Sequence, residues 1–279
     1  TSRCAEVWVP TRWNRDVFER EGCALPIHVL PLGSNPGVYR PAQGKRPALP
    51  PALVASGRNR GGMQVPQGFV YLYCYQPSFR KGVEFLCQAF DRAFSNDPDC
   101  ALVLCPSYSS AVPLEIDRAM RSARKANVYV LSGSYSEWAF ADLYRACDCY
   151  CSPSLGEGWN LPATEAALCG LPVIAGRHTA HLDFLCDDNA FLFDPEGTAT
   201  YPDDLTAKVS PWYVGQQFVR YGPRSMDMAI DCLRRVRDSS SEASTRASRL
   251  RNLILREYTW DAAAARVVER LYGILPQPR

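Results

Sequence analysis

Residues 152–176 read SPSLGEGWNLPATEAALCGLPVIAG, and the fold turns on how they are parsed. A glycine-bearing loop follows the short apolar run CYCS (149–152) and opens a helix from about Leu161 to Cys169. Pro162 suits a first helical turn. Gly170, with Pro172 beyond it, stops the helix before a second apolar run, PVIA (172–175). Such a loop and helix N-terminus offer free backbone N–H groups and the positive end of a dipole. Together they make a natural diphosphate site. Glu157 lies in the loop and Glu165 inside the helix, eight residues apart. On spacing alone, an ordinary β–α turn with two solvated glutamates accounts for this equally well.

The same alternation repeats outward. FVYLYCY (69–75), ALVLC (101–105) and VYVL (128–131) read as strands upstream, and AFLF (190–193) as one downstream. Between them Val83, Leu86, Cys87, Phe90 and Phe94 share one helical face, as do Phe140, Leu143, Tyr144 and Cys147. A further helix is expected at about Leu114–Ala126, and others near 224–238, 242–257 and 259–274. Toward the N-terminus come a strand at Ala5–Val9, a helix capped by Thr11 and running to about Arg20, and a strand at Ile27–Leu32. Residues 41–67, rich in Pro, Gly and basic side chains, read as a linker or mobile loop near a domain boundary. Strands apolar along their whole length are buried on both faces, and the helices between them supply the crossovers. The fold class is therefore α/β, a Rossmann-like doubly wound parallel sheet. Ligands of such sheets bind beyond the carboxyl ends of the strands, where the strand order reverses.

Composition narrows the function. Of 279 residues, 31 are Lys or Arg and 29 Asp or Glu, a net of +2 that argues against a general nucleic-acid surface. No apolar run approaches a membrane span, and the first residues hold no signal-peptide core. A cytoplasmic protein, at most peripheral at a membrane, is expected. The chain lacks an initiator Met, as a piece of a longer polypeptide would. The twelve cysteines include no C-x-x-C pair and several sit inside apolar runs, so they read as reduced, buried packing residues. His178, His181 and Asp183 form an H-x-x-H-x-D cluster that reads as a surface or substrate-facing loop rather than a metal site. No metal is expected.

The segment from Glu157 resembles the E-x7-E signature of retaining, nucleotide-sugar-dependent glycosyltransferases of the GT-B fold, the large family 4 group. VWVPTRWNRDVFEREG, IHVLPLGSNPGVYRP, FRKGVEFLCQAF, GSYSEWAFADLYRACDCYCSPSLGEG and YTWDAAAARVVERLYGIL resemble further stretches of that family, spread along almost the whole chain. The resemblance implies three parts. Residues 1–40 would be the tail of an N-terminal domain and the interdomain link, 41–257 the nucleotide-sugar-binding domain, and 258–279 a helix crossing back to the N-terminal domain.

It also implies roles. Glu165 would accept hydrogen bonds from the ribose hydroxyls and Glu157 would face the transferred sugar. Backbone amides around Gly158, Trp159, Asn160 and Leu161 would hold the sugar and β-phosphate. Trp159 and Asn160 replace the usual Phe-Gly, which would reshape the sugar pocket. Lys81 would neutralise the departing diphosphate without a metal or other cofactor. The family's second cation, five residues earlier, is here Gln76, and Arg80, Arg58 or Arg60 would substitute; a solvated helix-start charge is the other reading of Arg80. Tyr129–Leu131 and the SGSYS turn would border the base, which belongs to a donor such as a UDP- or GDP-sugar. His178 and His181 would touch acceptor or donor sugar. The acceptor, a glycan or other hydroxyl, would sit on an N-terminal domain absent from this chain and supplied in cis or in trans. A non-catalytic nucleotide-sugar-binding module or scaffold is the alternative.

Overall fold

FVYLYCY forms a fully inserted central strand because every one of its side chains finds an apolar neighbour. Its three tyrosines are nevertheless polar at one end, and a buried phenol needs a partner. Tyr71 donates to the Leu233 carbonyl at 2.7 Å and Tyr73 to the Lys81 carbonyl at 2.8 Å. The computed structural model describes residues 4–52, 54–55, 64–65, 68–107, 114–131, 133–201 and 213–274. Arg58, Arg60 and Ser132 of the SGSYS turn lie outside them.

In chain order the elements begin with β1 (Val7–Val9), α1 (Arg12–Arg20) and β2 (Ile27–Val29). Then come β3 (Val54–Ala55), β4 (Phe69–Tyr75), α2 (Val83–Ala93), β5 (Cys100–Pro106), α3 (Leu114–Ser122) and β6 (Asn127–Val130). They continue with α4 (Glu137–Arg145), β7 (Cys149–Ser152), α5 (Leu161–Leu168), β8 (Val173–Gly176) and β9 (Phe191–Phe193). The last are β10 (Thr198–Thr200), β11 (Gln217–Val219), α6 (Pro223–Asp238), α7 (Ser240–Glu257) and α8 (Trp260–Ile274). The main sheet runs β3-β6-β5-β4-β7-β8-β9, with β3 antiparallel at one edge and the other six strands parallel. Strand order therefore reverses between β4 and β7, the central pair. The doubly wound sheet expected from the sequence is present, and the E-x7-E stretch follows β7, one strand of that reversal.

Helix ends differ from expectation for local reasons. α3 stops at Ser122 rather than near Ala126, because the amides of Lys125 and Ala126 bond the Asp91 carboxylate at 2.7 and 2.8 Å instead of continuing the helix. The β10–β11 hairpin, half exposed and without period, left no sequence signal. Nine of the twelve cysteines are buried and serve packing, while Cys4 and Cys186 are exposed and Cys23 is half-buried. No helix among the described residues is long and apolar enough to cross a membrane.

The first forty residues are tied to the rest through backbone. A β-carbon on Gly33 would lie 2.3 Å from the Trp260 nitrogen, so the segment after β2 can pass the start of α8 only as glycine. Ser34 then donates its amide to the Tyr258 carbonyl at 2.9 Å, and its hydroxyl meets Thr164 of α5 at 2.7 Å.

A comparable constraint acts at Gly82, which has a φ of +62° and would place a β-carbon 2.2 Å from the Pro153 carbonyl oxygen. Here the loop after β4 and the loop after β7 touch. Gly82→Ala should destabilise the protein by about 2 kcal/mol or more, the left-handed conformation alone costing roughly 1–2 kcal/mol. Urea unfolding of the two proteins measures it.

Candidate active site at the strand-order reversal

The loop after β4 ends in a single 3-10 turn, Phe79–Lys81, and the loop after β7 descends through Ser154 and Glu157 to α5. Proximity of β4 and β7 in the sheet brings these loops together. Lys81 Nζ and Ser154 Oγ both donate to Glu157 Oε1, the serine at 2.6 Å. Arg80 Nη1 lies 3.1 Å from Oε2 and also bonds the Gly156 carbonyl, while its Nε meets Tyr213 at 3.3 Å. The Glu157 side chain is only 7% exposed, Lys81 14% and Arg80 22%. Burial alone would favour the neutral acid, but the two cations outweigh it and hold the Glu157 carboxyl at about 2. Lys81 is lowered by its own burial, with Glu157 opposing. The cluster has one excess positive charge, two cations against one carboxylate. Gln76 is exposed, and Arg80 is the residue that joins Lys81.

A ring of hydrogen bonds closes on Glu157. Its amide donates to Thr179 Oγ1 at 3.1 Å, and that hydroxyl meets His178 Nδ1 at 3.1 Å. His178 Nε2 meets the Tyr221 hydroxyl at 2.7 Å, and Tyr221 donates to the Ser154 carbonyl at 2.8 Å. Because Tyr221 spends its proton on Ser154, His178 must carry its own on Nε2 and accept from Thr179 on Nδ1. Ser154 then returns the chain to the Glu157 carboxylate. Gly176 makes room for this: a β-carbon there would be 2.1 Å from the Tyr221 hydroxyl and 2.5 Å from His178 Nε2.

Asn160 sits at a φ of +94° and caps α5, its Oδ1 accepting from the Ala163 amide at 3.3 Å. Its amide group donates to Ser152 Oγ and to His181 Nε2, each at 2.8 Å. His181 accordingly holds its proton on Nδ1, which donates to the Gly176 carbonyl at 2.8 Å. The two histidines are thus interior residues, not surface ones, and their ring nitrogens are bonded within the chain. Asp183 faces away from them, accepting from the Arg12 amide at 2.9 Å.

Glu165 is separate from this cluster. It accepts from Tyr144 at 3.0 Å and from Tyr39, and burial raises its pKa. Trp159 packs between Phe184 and Tyr258, and its buried indole N–H has no hydrogen-bond partner among the described residues. Gly158 is exposed, and Leu161 is half-buried at the first turn of α5. Tyr129, Val130 and Leu131 are fully buried. Sequence reasoning missed Ser154, Thr179, Tyr221 and Tyr213. Only Ser154 had a signal, a hydroxyl three residues ahead of the loop glutamate.

The described geometry can hold an anion with two cations at a sheet's reversal point, beside a helix N-terminus. Residues 69–210 match the family described as glycosyl transferases group 1. A D-inositol 3-phosphate glycosyltransferase of Xylanimonas cellulosilytica is 28% identical over 188 residues, 65% of this chain and 42% of that protein. The Anabaena HepE structure superimposes with a TM-score of 0.66 at 16% identity, over 97% of this chain and 64% of that one. The C-terminal domain of the group 1 glycosyltransferase LpcC from Francisella tularensis gives 0.56 at 18% identity, over 81% of this chain and 99% of that one. The match thus spans less than half of the curated relative, and the fold is that of the C-terminal half of a GT-B glycosyltransferase.

The buried histidines make stability depend on pH. Burial, with His181 nearby, lowers His178 from 6.5 to about 3, and burial lowers His181 as well. Unfolding frees each ring to take a proton, so the stabilisation is complete above the unfolded pKa and is lost as pH falls from about 6.5 toward about 3. At 1.36 kcal/mol per unit, His178 alone should cost about 2–3 kcal/mol between roughly pH 6.5 and 4.5. Urea titrations across that range should show the fall, and His178→Gln, with no proton to gain, should show a shallower one.

Proposed function

The chain belongs to the glycosyl transferases group 1 family, and on that premise we propose that it is the donor-binding part of a retaining, nucleotide-sugar-dependent glycosyltransferase. The observation that carries the reading is the pair Arg80 and Lys81, brought beside the loop into α5 at the sheet's reversal point. Glycosyl transfer builds negative charge on the departing diphosphate, and two fixed cations with a helix N-terminus oppose that charge without reorganising. These side chains supply the positive charge that a metal would otherwise bring. The amides from Gly158 to Leu161 hold the β-phosphate and sugar, and Glu157 lies next to the bond that breaks. Glu165 takes the ribose hydroxyls on its carboxylate, steadied by Tyr144 and Tyr39.

A UDP- or GDP-sugar is the donor class. The HepE neighbour was solved in complex with UDP and glucose, which supports this assignment. The acceptor hydroxyl comes from a second, N-terminal domain. Trp260, Val268, Leu271 and Tyr272 of α8 are exposed, an apolar face suited to packing on such a domain. Holding acceptor and donor together supplies much of the rate.

Glu165→Ala should weaken nucleoside-diphosphate binding by at least roughly ten- to a hundredfold, since even one lost hydrogen bond to a charged acceptor costs about 1.5–3 kcal/mol. Calorimetry with UDP and GDP on both proteins measures it. Unchanged affinity in a folded variant would remove Glu165 from the ribose site.

A further inference from the structure

Arg80 and Lys81 are already engaged in this structure. Both contact one carboxylate, that of Glu157, with Lys81 on Oε1 and Arg80 on Oε2. Carboxylate and phosphate oxygens are acceptors of the same kind, and ammonium and guanidinium groups donate to either. The loop after β7 thus presents to the loop after β4 the chemistry that a diphosphate would present. The backbone of Glu157 is held independently: its amide bonds Thr179 Oγ1 at 3.1 Å and its carbonyl accepts from the Ala180 amide at 3.3 Å. Its carboxylate bonds Lys81, Arg80 and the Ser154 hydroxyl, the last at 2.6 Å, so an exchange at the cations takes a side-chain rotation that gives up these bonds and leaves the backbone bonds in place.

Resting on the nucleotide-sugar reading above, we propose that Glu157 is a tethered anion that occupies the diphosphate cations when the site is empty. The nucleotide then binds by exchange against it, and its return helps expel the spent nucleoside diphosphate. The device has two physical consequences. It spares the empty protein two unpaired, largely buried cations, which would be strongly destabilising. It also makes the diphosphate compete with a covalently attached rival, so affinity is lower than two free cations would give. A residue that merely contacted the sugar would have no such effect on a ligand without sugar.

The test is calorimetry of UDP and UDP-glucose against the wild-type chain and Glu157→Gln, which keeps the shape and removes the charge. UDP should bind the variant about tenfold or more tightly than it binds wild type, the scale of removing one like charge at contact range. UDP-glucose should gain less, because its sugar loses the carboxylate. Should the variant fail to fold with two cations unpaired, the same comparison is made in an Arg80→Gln background, where Lys81 alone is left. Equal or weaker UDP binding on removal of the charge in a folded background would overturn the proposal. Absence of any binding of UDP or GDP, free or as sugar nucleotides, to the wild-type chain would instead overturn the nucleotide-sugar reading, and this proposal with it.

Discussion

The ion cluster of Glu157 with Lys81 and Arg80 is the constraint on which the rest of the site depends. A carboxylate only 7% exposed is unfavourable unless its charge is met, and here two cations from another loop meet it. Every nearby device serves that meeting. Gly82 lets the cation-bearing turn pass under Pro153. The reversal of strand order sets the two loops side by side. Ser154, Thr179, His178 and Tyr221 fix the carboxylate's own loop with assigned proton directions, which requires His178 to stay neutral and interior.

Much of the fold was legible in the sequence because burial on both faces leaves an unambiguous pattern. β4 and β7 fall at the residues expected, 69–75 and 149–152, since nearly every position in them is buried, and Tyr71, Tyr73 and Tyr150 each find a backbone carbonyl for the phenol. The end of α3 shifted where a side chain took over backbone hydrogen bonding, as Asp91 does for Lys125 and Ala126. The β10–β11 pair is half exposed and has no period to read.

The site was legible residue by residue but not in its connections. Lys81, Glu157 and Glu165 stood out as chemistry-bearing, yet the ion pair joins residues 76 positions apart, and only the sheet order brings them together. The histidines read as part of a surface or substrate-facing loop because a polar H-x-x-H-x-D string resembles one. Their burial follows from Gly176 and Asn160, whose roles are tertiary. Arg80, one residue from Lys81 and open to a bland reading, joins the candidate site through its guanidinium on Glu157. Tyr221 and Tyr213, far along the chain, had no local pattern to mark them.

Two carboxylates eight residues apart thus do different physical work. Glu157, clamped by cations, stays strongly acidic, while Glu165 is held by two phenols and raised by burial, with no cation paired to it among the described residues. The most direct test of the central claim is an experimental structure of this chain with a nucleotide sugar bound. The diphosphate oxygens should lie within hydrogen-bond reach of Lys81 and Arg80 beyond β4 and β7, with the ribose on Glu165. A nucleotide bound beyond any other pair of strands, with Lys81 and Arg80 still paired to Glu157 alone, would contradict it.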